Sequence, residues 1–307
     1  MTPSNKHFGF PAMGSYCEIQ IYDESRVNAK HLVRKLSAEV TRLDKKYSRA
    51  HLNSFVNDIS REAGNKMGIN IDSETRKLFD HALTYYQQSQ GLFDVTAGAL
   101  IRQWGMSYPQ PPAQADITAA LEKTGLHRLH WKGSRLTLPA GMEIDFGSLV
   151  KAYTVDTVAK LGQQLGIKHG LVNLGGDFAV IGAQPGDKPW PVGIANPEEE
   201  RTLSATIDLT SGGLATTGDY ARVFEQDGKQ YSHIINPKTG QLNDGLRAVT
   251  IAGKTATGAS TMATIAMLMP EDKAIEWLAN LDLPHAYRTN AGVIDGVGLK
   301  RIEAKAG

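Results

Sequence analysis

Hydrophobic residues recur along this chain with two periods, one typical of helices and one typical of strands. In the segment 26–47 the apolar residues lie three and four positions apart. They are Val33, Leu36, Val40, Leu43 and Tyr47. This spacing places them on one face, so we predict an amphipathic helix from Arg26 to Tyr47. A similar pattern predicts a second helix from about Ser73 to Gln90, ended by Gly91.

Strand-like alternation and further helical runs fill the rest of the chain. The predicted strands are Tyr16 to Tyr22, Leu136 to Leu138, Met142 to Phe146, Leu171 to Leu174, Phe178 to Ile181, Pro191 to Ala195, Leu203 to Leu209 and Arg247 to Ala252. The other predicted helices are a short one capped by Asp116 and ending at Gly125, then Leu149 to Leu165, Ser260 to Met269 and Asp272 to Asn280. Helices and strands come in mixed order with many hairpin-like joints, which favours an α+β fold with mainly antiparallel sheet.

Composition narrows the class of protein without identifying it. The 307 residues are 41% hydrophobic with a net charge of +1, which gives no bulk attraction to nucleic acid or anionic membranes. No apolar run approaches the roughly 20 residues of a membrane helix, so we expect no membrane span. Cys17 is the only cysteine and is expected to be a buried structural thiol. We expect a cytoplasmic protein as the sequence stands, or a periplasmic one if a leader has been removed.

Two segments place glycines and carboxylates at the ends of predicted strands. Leu174 to Asp177 reads Leu-Gly-Gly-Asp, which permits close backbone approach to a ligand but also suits a simple tight hairpin. Glu143 and Asp145 alternate, so their side chains should share a face just before a helix. Capping of that helix alone would explain Asp145. Lys151 lies one turn further on, within reach of an anionic group.

Two later segments combine hydroxyls, carboxylates and histidine. Residues 215–220 read Ala-Thr-Thr-Gly-Asp-Tyr, which can cradle phosphate but also resembles common polar turns. Residues 231–240 contain His233 and end in a Pro-x-x-Gly turn, and a lone histidine is more often structural than catalytic. The chain has no GxGxxG, P-loop, zinc-ligand or GxSxG motif, so each signal is weak when taken singly.

Taken together and in order, these segments resemble the ApbE family from Phe10 to about Pro270. Phe10 to Ser15 is similar to its opening Met-Gly-Thr, and Tyr47 and Asn57 fall where it has a tyrosine and a serine-to-asparagine stretch. Phe93 to Leu100 resembles its Phe-Asp-x-Thr-Val-Gly-Pro-Leu. The remaining matched segments are Asp145 to Asp156, Asn173 to Asp177, Trp190 to Pro197, Thr217 to Tyr220 and His233 to Gly240.

The resemblance implies both a fold and an activity. It implies one α+β domain over residues 1–307, built from two related, intertwined lobes with mainly antiparallel sheets (a T-fold-related architecture). It also implies an FAD:protein FMN transferase, which attaches FMN from FAD to a threonine or serine motif of an acceptor protein and releases AMP. Carried over by position, the residues expected near FAD are Met13, Tyr47, Asp94, Thr96, Ala97, Asp145, Lys151 and Ile234.

The resemblance further implies a magnesium ion near the diphosphate of FAD. Its ligands would be the backbone carbonyl of Ser148 and two side chains of an Ala-Asp-Ala-x-x-Thr segment. Here that segment keeps Thr264, but Ser260 stands in the aspartate position. Since magnesium usually has one or two carboxylate ligands, we expect a weakened metal site.

Three functions stay open at this point. In the transfer reaction Lys151 and magnesium would offset phosphate charge, while His233 or Asp219 would accept the proton of the acceptor hydroxyl. If water replaces the acceptor, the same site makes an FAD pyrophosphatase. If Ser260 removes the metal, the chain is a non-catalytic FAD-binding protein.

Overall fold

The computed structural model describes residues 4–23, 25–105, 111–195, 202–218, 223–226, 229–232, 234–242 and 244–302. The helices are α1 (Arg26–Tyr47), α2 (Phe55–Arg61), α3 (Ser73–Gln88), α4 (Gly98–Trp104), α5 (Gln114–Leu121), α6 (Gly147–Gln164), α7 (Ala256–Met267) and α8 (Glu271–Ala279), with a 3-10 turn at Leu126–Arg128. The strands are β1 (Ser4–Ala12), β2 (Ser15–Asp23), β3 (Ile69–Asn70), β4 (His130–Lys132), β5 (Arg135–Thr137), β6 (Gly170–Leu174), β7 (Asp177–Gly182), β8 (Trp190–Ala195), β9 (Leu203–Leu209), β10 (Gly213–Gly218), β11 (Val223–Gln226), β12 (Lys229–Ser232), β13 (Ala248–Gly253), β14 (His285–Arg288), β15 (Ile294–Val297) and β16 (Lys300–Arg301).

One large antiparallel sheet organises the part of the chain that the structure describes. Its strand order there is β1-β2-β6-β7-β10-β13-β14-β15. Three small antiparallel sheets, β16-β9-β8, β3-β5-β4 and β11-β12, accompany it. The predicted α+β fold with mainly antiparallel sheet is therefore confirmed. The assignment of residues 1–307 to one domain of two related lobes stays a prediction.

Helix α1 forms for the reasons its sequence suggests. The Ser25 hydroxyl accepts from the backbone N–H of Asn28 and caps the first turn, while Lys45 and Lys46 lie in the last turn, where the helix dipole favours positive charge. All five residues of the predicted apolar face are buried. The N-terminal part of this face packs with Val155 and Val158 of α6, and the C-terminal part joins a second core around Phe146.

Helices α6 and α7 pack against each other and carry the segments of interest. The carboxylate of Asp156 in α6 accepts from the backbone N–H groups of Ala256 (2.9 Å) and Thr257 (2.8 Å). These are orphan donors at the start of α7, so Asp156 fixes where α7 begins relative to α6. No helix among the described residues is long and apolar enough to cross a membrane.

Several predicted elements differ from the structure. Met142 to Phe146 is not a strand, because only Glu143 pairs, in an isolated bridge with Ala97. The alternating residues Met142, Ile144 and Phe146 are buried. The alternation therefore reflects one buried face of an extended segment and not pairing in a β-sheet. Helix α7 begins at Ala256 instead of Ser260, and Asp116 lies inside the first turn of α5 rather than capping it.

Candidate active site

Two tight hairpins present their tips side by side at one end of the main sheet. Met13 and Gly14 form the β1–β2 tip with φ values of 51° and 69°, and Gly175 and Gly176 form the β6–β7 tip with 60° and 95°. The tips are neighbours because β2 pairs with β6 in the adjacent Cys17–Leu174 register. A positive φ is strained for methionine, and such strain is concentrated at functional sites.

Lys151 of α6 reaches these two tips. Its ammonium group donates to the Ser15 hydroxyl at 3.3 Å. A Cβ added to Gly175 would lie only 3.2 Å from the same nitrogen, so the glycine permits this close approach. Asp177, at the base of the second tip, is buried, and burial raises the pKa of its carboxyl to about 7 although Lys151 opposes the shift. The lysine charge thus lies in a partly desolvated corner, where an anion would be bound strongly.

The segment before α6 carries an ion-pair cluster, of which the sequence indicated the carboxylates but not the arginines. Arg49 contacts Asp145 through Nη1 at 3.0 Å and Glu143 through Nη2 at 2.6 Å. Arg102 adds a second pair to Glu143 at 2.8 Å. Asp145 also accepts from the backbone N–H of Gly147, the first residue of α6, at 2.6 Å. The predicted shared face of the two carboxylates is observed, since both contact Arg49, but the N-cap position is Phe146 and no side chain caps the helix.

The loop before α4 is held rigid by its own polar groups. Oδ1 of Asp94 accepts from the backbone N–H of Thr96 (2.8 Å) and from its hydroxyl (2.6 Å). The Thr96 hydroxyl in turn accepts from the backbone N–H of Gly125 at 2.7 Å. Burial raises the pKa of Asp94, and these hydrogen bonds oppose the shift. Ala97 bridges to Glu143, so the loop and the segment before α6 form one wall.

The three predicted metal ligands lie together but do not fit a resident magnesium ion. The Ser260 hydroxyl donates to the Ser148 carbonyl at 3.0 Å, and the Thr264 hydroxyl donates to the Ser260 carbonyl at 2.9 Å. All of these oxygens are uncharged, whereas protein magnesium sites use one or two carboxylates. Over the described ranges, no group of three or more His, Cys, Asp or Glu side chains could hold a metal ion.

The remaining predicted site residues lie apart from this arrangement or outside the described residues. Tyr47 is 1% exposed, and its hydroxyl shares a 2.8 Å hydrogen bond with Thr75 within the core. Ile234 is also buried, in the apolar cluster between α7 and the sheet. The two proposed proton acceptors, His233 and Asp219, are outside the described residues. The roles of all these residues in binding or catalysis stay predictions.

Sequence reasoning missed the arginines. Arg49, Arg61 and Arg102 line an open pocket of about 640 Å³ that also includes Glu143 and lies beside Asp145. The local sequence around Arg49 gives no indication that its partners are Glu143 and Asp145, which lie 94 and 96 positions later. The usable signal was the pair of carboxylates itself, since two half-buried acids on one face require a cation.

Comparison with known proteins agrees with this arrangement. The model of the ApbE family matches residues 13–287. The chain belongs to the ApbE family. An FAD:protein FMN transferase of Vibrio cholerae is 27% identical over 281 residues, which cover 88% of this chain and 83% of the relative. The residues that match the family model include the β1–β2 tip, the Asp94 loop, α6 and α7.

Solved structures of ApbE proteins have the same fold. The crystal structure of the Thermotoga maritima ApbE protein superimposes with a TM-score of 0.87 at 27% identity and covers 95% of this chain and 97% of that one. The apo flavinyl transferase ApbE of Pseudomonas stutzeri gives a TM-score of 0.83 at 25% identity, with 96% of each chain covered. Coverage of this extent means that the whole described architecture is that of an ApbE protein.

Proposed function

We propose that this chain is an FAD:protein FMN transferase. It takes FAD as donor, attaches the FMN portion to a threonine or serine of an acceptor protein and releases AMP. Membership of the ApbE family and the names of the relatives support the activity. The observation that carries it in this structure is the position of Lys151, whose ammonium group lies between two glycine-containing hairpin tips and beside the start of α6.

The chemistry requires charge compensation more than covalent catalysis. The acceptor hydroxyl forms a new P–O bond to the phosphorus that bears FMN, and the bond from that phosphorus to the AMP oxygen breaks. The proton of the hydroxyl passes to a base, for which His233 and Asp219 are the candidates. Negative charge develops on the diphosphate oxygens, and a preorganised cation stabilises it most effectively. Lys151 fills this role in the proposal.

Two segments near the start of α6 suit a dinucleotide. The Asp94–Ala97 loop lies against Asp145, whose backbone N–H donates to the Val95 carbonyl at 2.7 Å, and Ser15, next to the Met13–Gly14 tip, accepts from Lys151. Backbone groups held at hairpin tips and a helix start are suited to anionic groups. The pocket lined by Arg49 and Arg102 opens beside Asp145 and offers room for the acceptor segment with its threonine or serine motif.

The proposal assigns no catalytic step to magnesium. The resemblance predicts it, but Ser148, Ser260 and Thr264 supply uncharged oxygens alone. The same observation favours a second candidate, a flavin-binding protein that holds FAD without transferring FMN. FAD pyrophosphatase activity differs only in that water takes the place of the acceptor.

One experiment separates the three functions. The protein is incubated with FAD, magnesium and a threonine-containing acceptor protein, and products are measured by mass spectrometry. An acceptor that gains the mass of FMN, in an amount that Lys151→Met reduces, supports the transferase. Free FMN and AMP in equal amounts, with the acceptor left unmodified, indicate the pyrophosphatase. Intact FAD bound to the chain, again with the acceptor unmodified, indicates the binding protein, and either of these last two results would overturn the proposal.

A further inference from the structure

Besides the bonds of Asp156, a hydrogen bond joins α6 and α7 at the place where the resemblance predicts a metal ion. The Ser260 hydroxyl, in the second turn of α7, donates to the Ser148 carbonyl, in the first turn of α6, at 3.0 Å. Ser260 is only 7% exposed, whereas Ser148 is exposed, so the bond lies at the edge of the helix–helix interface. Thr264 completes the local set, since its hydroxyl bonds to the Ser260 carbonyl and lies 3.3 Å from the Thr217 hydroxyl.

The described carboxylates of the neighbouring elements are already engaged elsewhere. Asp156 accepts from two backbone N–H groups at the start of α7. Asp145 is paired with Arg49 and accepts from the backbone N–H of Gly147. Asp177 faces Lys151 and accepts from the backbone N–H of Thr216. A divalent cation between α6 and α7 would therefore meet neutral oxygens from the described residues, and these replace the hydration shell of magnesium poorly.

We infer that this protein holds no resident magnesium ion between α6 and α7, because the serine at position 260 joins the two helices directly where a carboxylate would join them through the metal. The inference rests on the proposed function only in that it concerns the phosphate-facing part of the same site. It predicts that one substitution, Ser260→Asp, creates the metal site. The aspartate would share the ion with the Ser148 carbonyl and the Thr264 hydroxyl.

The energetics of burial make the inference testable without FAD or acceptor. A carboxylate at this 7% exposed position lacks a counter-charge unless a cation binds. Ser260→Asp should therefore lower the Tm in EDTA, and millimolar magnesium should restore it by about 3 °C or more. Ser260→Asn has the same shape without the charge and is the matched control. It should lower the Tm with no response to magnesium.

The experiment measures Tm against magnesium concentration for the wild type, Ser260→Asp and Ser260→Asn, and counts bound Mn²⁺ by electron paramagnetic resonance. Expected results are no saturable response in the wild type and magnesium binding at least about tenfold tighter in Ser260→Asp. Saturable wild-type binding that Ser260→Ala abolishes would overturn the inference. So would binding abolished by Asp219→Asn, since Asp219 follows β10 in the sequence and is the alternative carboxylate.

Two further outcomes are decisive in the same experiment. A folded Ser260→Asp variant that gains no magnesium binding would show that the missing carboxylate is not the reason, and the inference fails. If Ser260→Asp does not fold, the Mn²⁺ count of the wild type decides alone, because one bound ion per chain contradicts the inference and none supports it. Failure of the proposed function would appear separately, as the absence of FMN transfer, and would leave these binding results unchanged.

Discussion

The Lys151 ammonium group donates to the Ser15 hydroxyl at 3.3 Å and thereby ties α6 to the tip of the β1–β2 hairpin. The contact is weak for a charged donor, so the lysine can exchange it for a stronger acceptor. A phosphate oxygen is such an acceptor. The arrangement therefore holds a cation ready at the junction of two hairpins and a helix rather than neutralising it within the protein.

Lys151→Met should weaken FAD binding by about tenfold to a hundredfold. A hydrogen bond to a charged group contributes about 1.5 to 3 kcal/mol, and each 1.4 kcal/mol changes affinity about tenfold. The measurement is a fluorescence titration of FAD. Lys160→Met, an exposed change on the same helix, is the control and should leave the Kd unchanged. Equal Kd values for the two variants would remove Lys151 from the phosphate site.

Asp177→Asn should change how stability depends on pH. Burial raises the pKa of Asp177 to about 7 in the folded protein, well above the ordinary value of 3.8 for an aspartic acid side chain. The folded state then binds the proton more tightly than the unfolded state between these values, so the wild type loses stability as pH rises from about 4 to 7. The variant lacks this loss. Relative to the wild type it should gain about 3 to 4 kcal/mol between pH 4 and pH 8.

The measurement for Asp177 is denaturant unfolding at a series of pH values. Asp116→Asn, an exposed change in α5, serves as the control and should follow the wild-type curve. Parallel curves for the wild type and Asp177→Asn would mean that the carboxyl is not held protonated near neutral pH. In that case its burial has to be compensated by ionic contact with Lys151 instead.

How much of the fold the sequence predicts depends on whether the partners of a segment are local. Helix α1 was predicted with its observed bounds, Arg26 to Tyr47, because its apolar face and its basic last turn are all local signals. The start of α7 was misplaced because its first N–H groups are capped by Asp156, about 100 positions earlier. The helical spacing that predicts α3 also places Leu83 with the apolar residues Phe79 and Tyr86, yet Leu83 is 37% exposed in the folded protein.

The same distinction applies to the site. Gly175 and Lys151 were singled out from local patterns, and the structure brings them together at the hairpin tips. Arg49 was missed because its role depends on Glu143 and Asp145, which only the tertiary fold brings within 3.0 Å. Composition and spacing carry no information about such a contact. The departure at Ser260 was visible in the sequence, but its hydrogen bond to Ser148 was not.

Arg49→Met should destabilise the protein by about 2 kcal/mol, because it removes the ion pair of the largely buried Asp145 and leaves Glu143 with Arg102. The side chains of Glu143 and Asp145 are only 18% and 15% exposed. Arg49→Lys should recover part of the loss, since an ammonium group keeps the charge but lacks the planar fork of donors that places Nη1 and Nη2 on separate carboxylates. Urea unfolding measures both variants. Arg301→Met, which removes an exposed pair with Asp295, should change little. A similar loss at Arg301 would mean that the bridge at Arg49 has no special role.

Gly175→Ala and Gly176→Ala separate the cost of backbone conformation from the cost of contact. Both glycines have positive φ, so each substitution should cost about 1 kcal/mol in strain. At Gly176 a Cβ would meet no atom within 4 Å. At Gly175 it would lie 2.6 Å from Ser15 and 3.2 Å from the Lys151 nitrogen, so Ser15 has to shift and the lysine nitrogen has to give way slightly. Gly175→Ala should therefore lose about 1 to 3 kcal/mol more, the usual cost of overpacking.

The functional consequence should follow the same division. Gly176→Ala should keep the FAD affinity of the wild type, because Lys151 stays in place. Gly175→Ala should lower that affinity, but by less than Lys151→Met, since it displaces Ser15 and shifts the ammonium group without removing its charge. FAD titrations and urea unfolding on the two variants test both statements. Equal losses of stability and affinity at the two positions would show that the hairpin tip acts through its backbone alone.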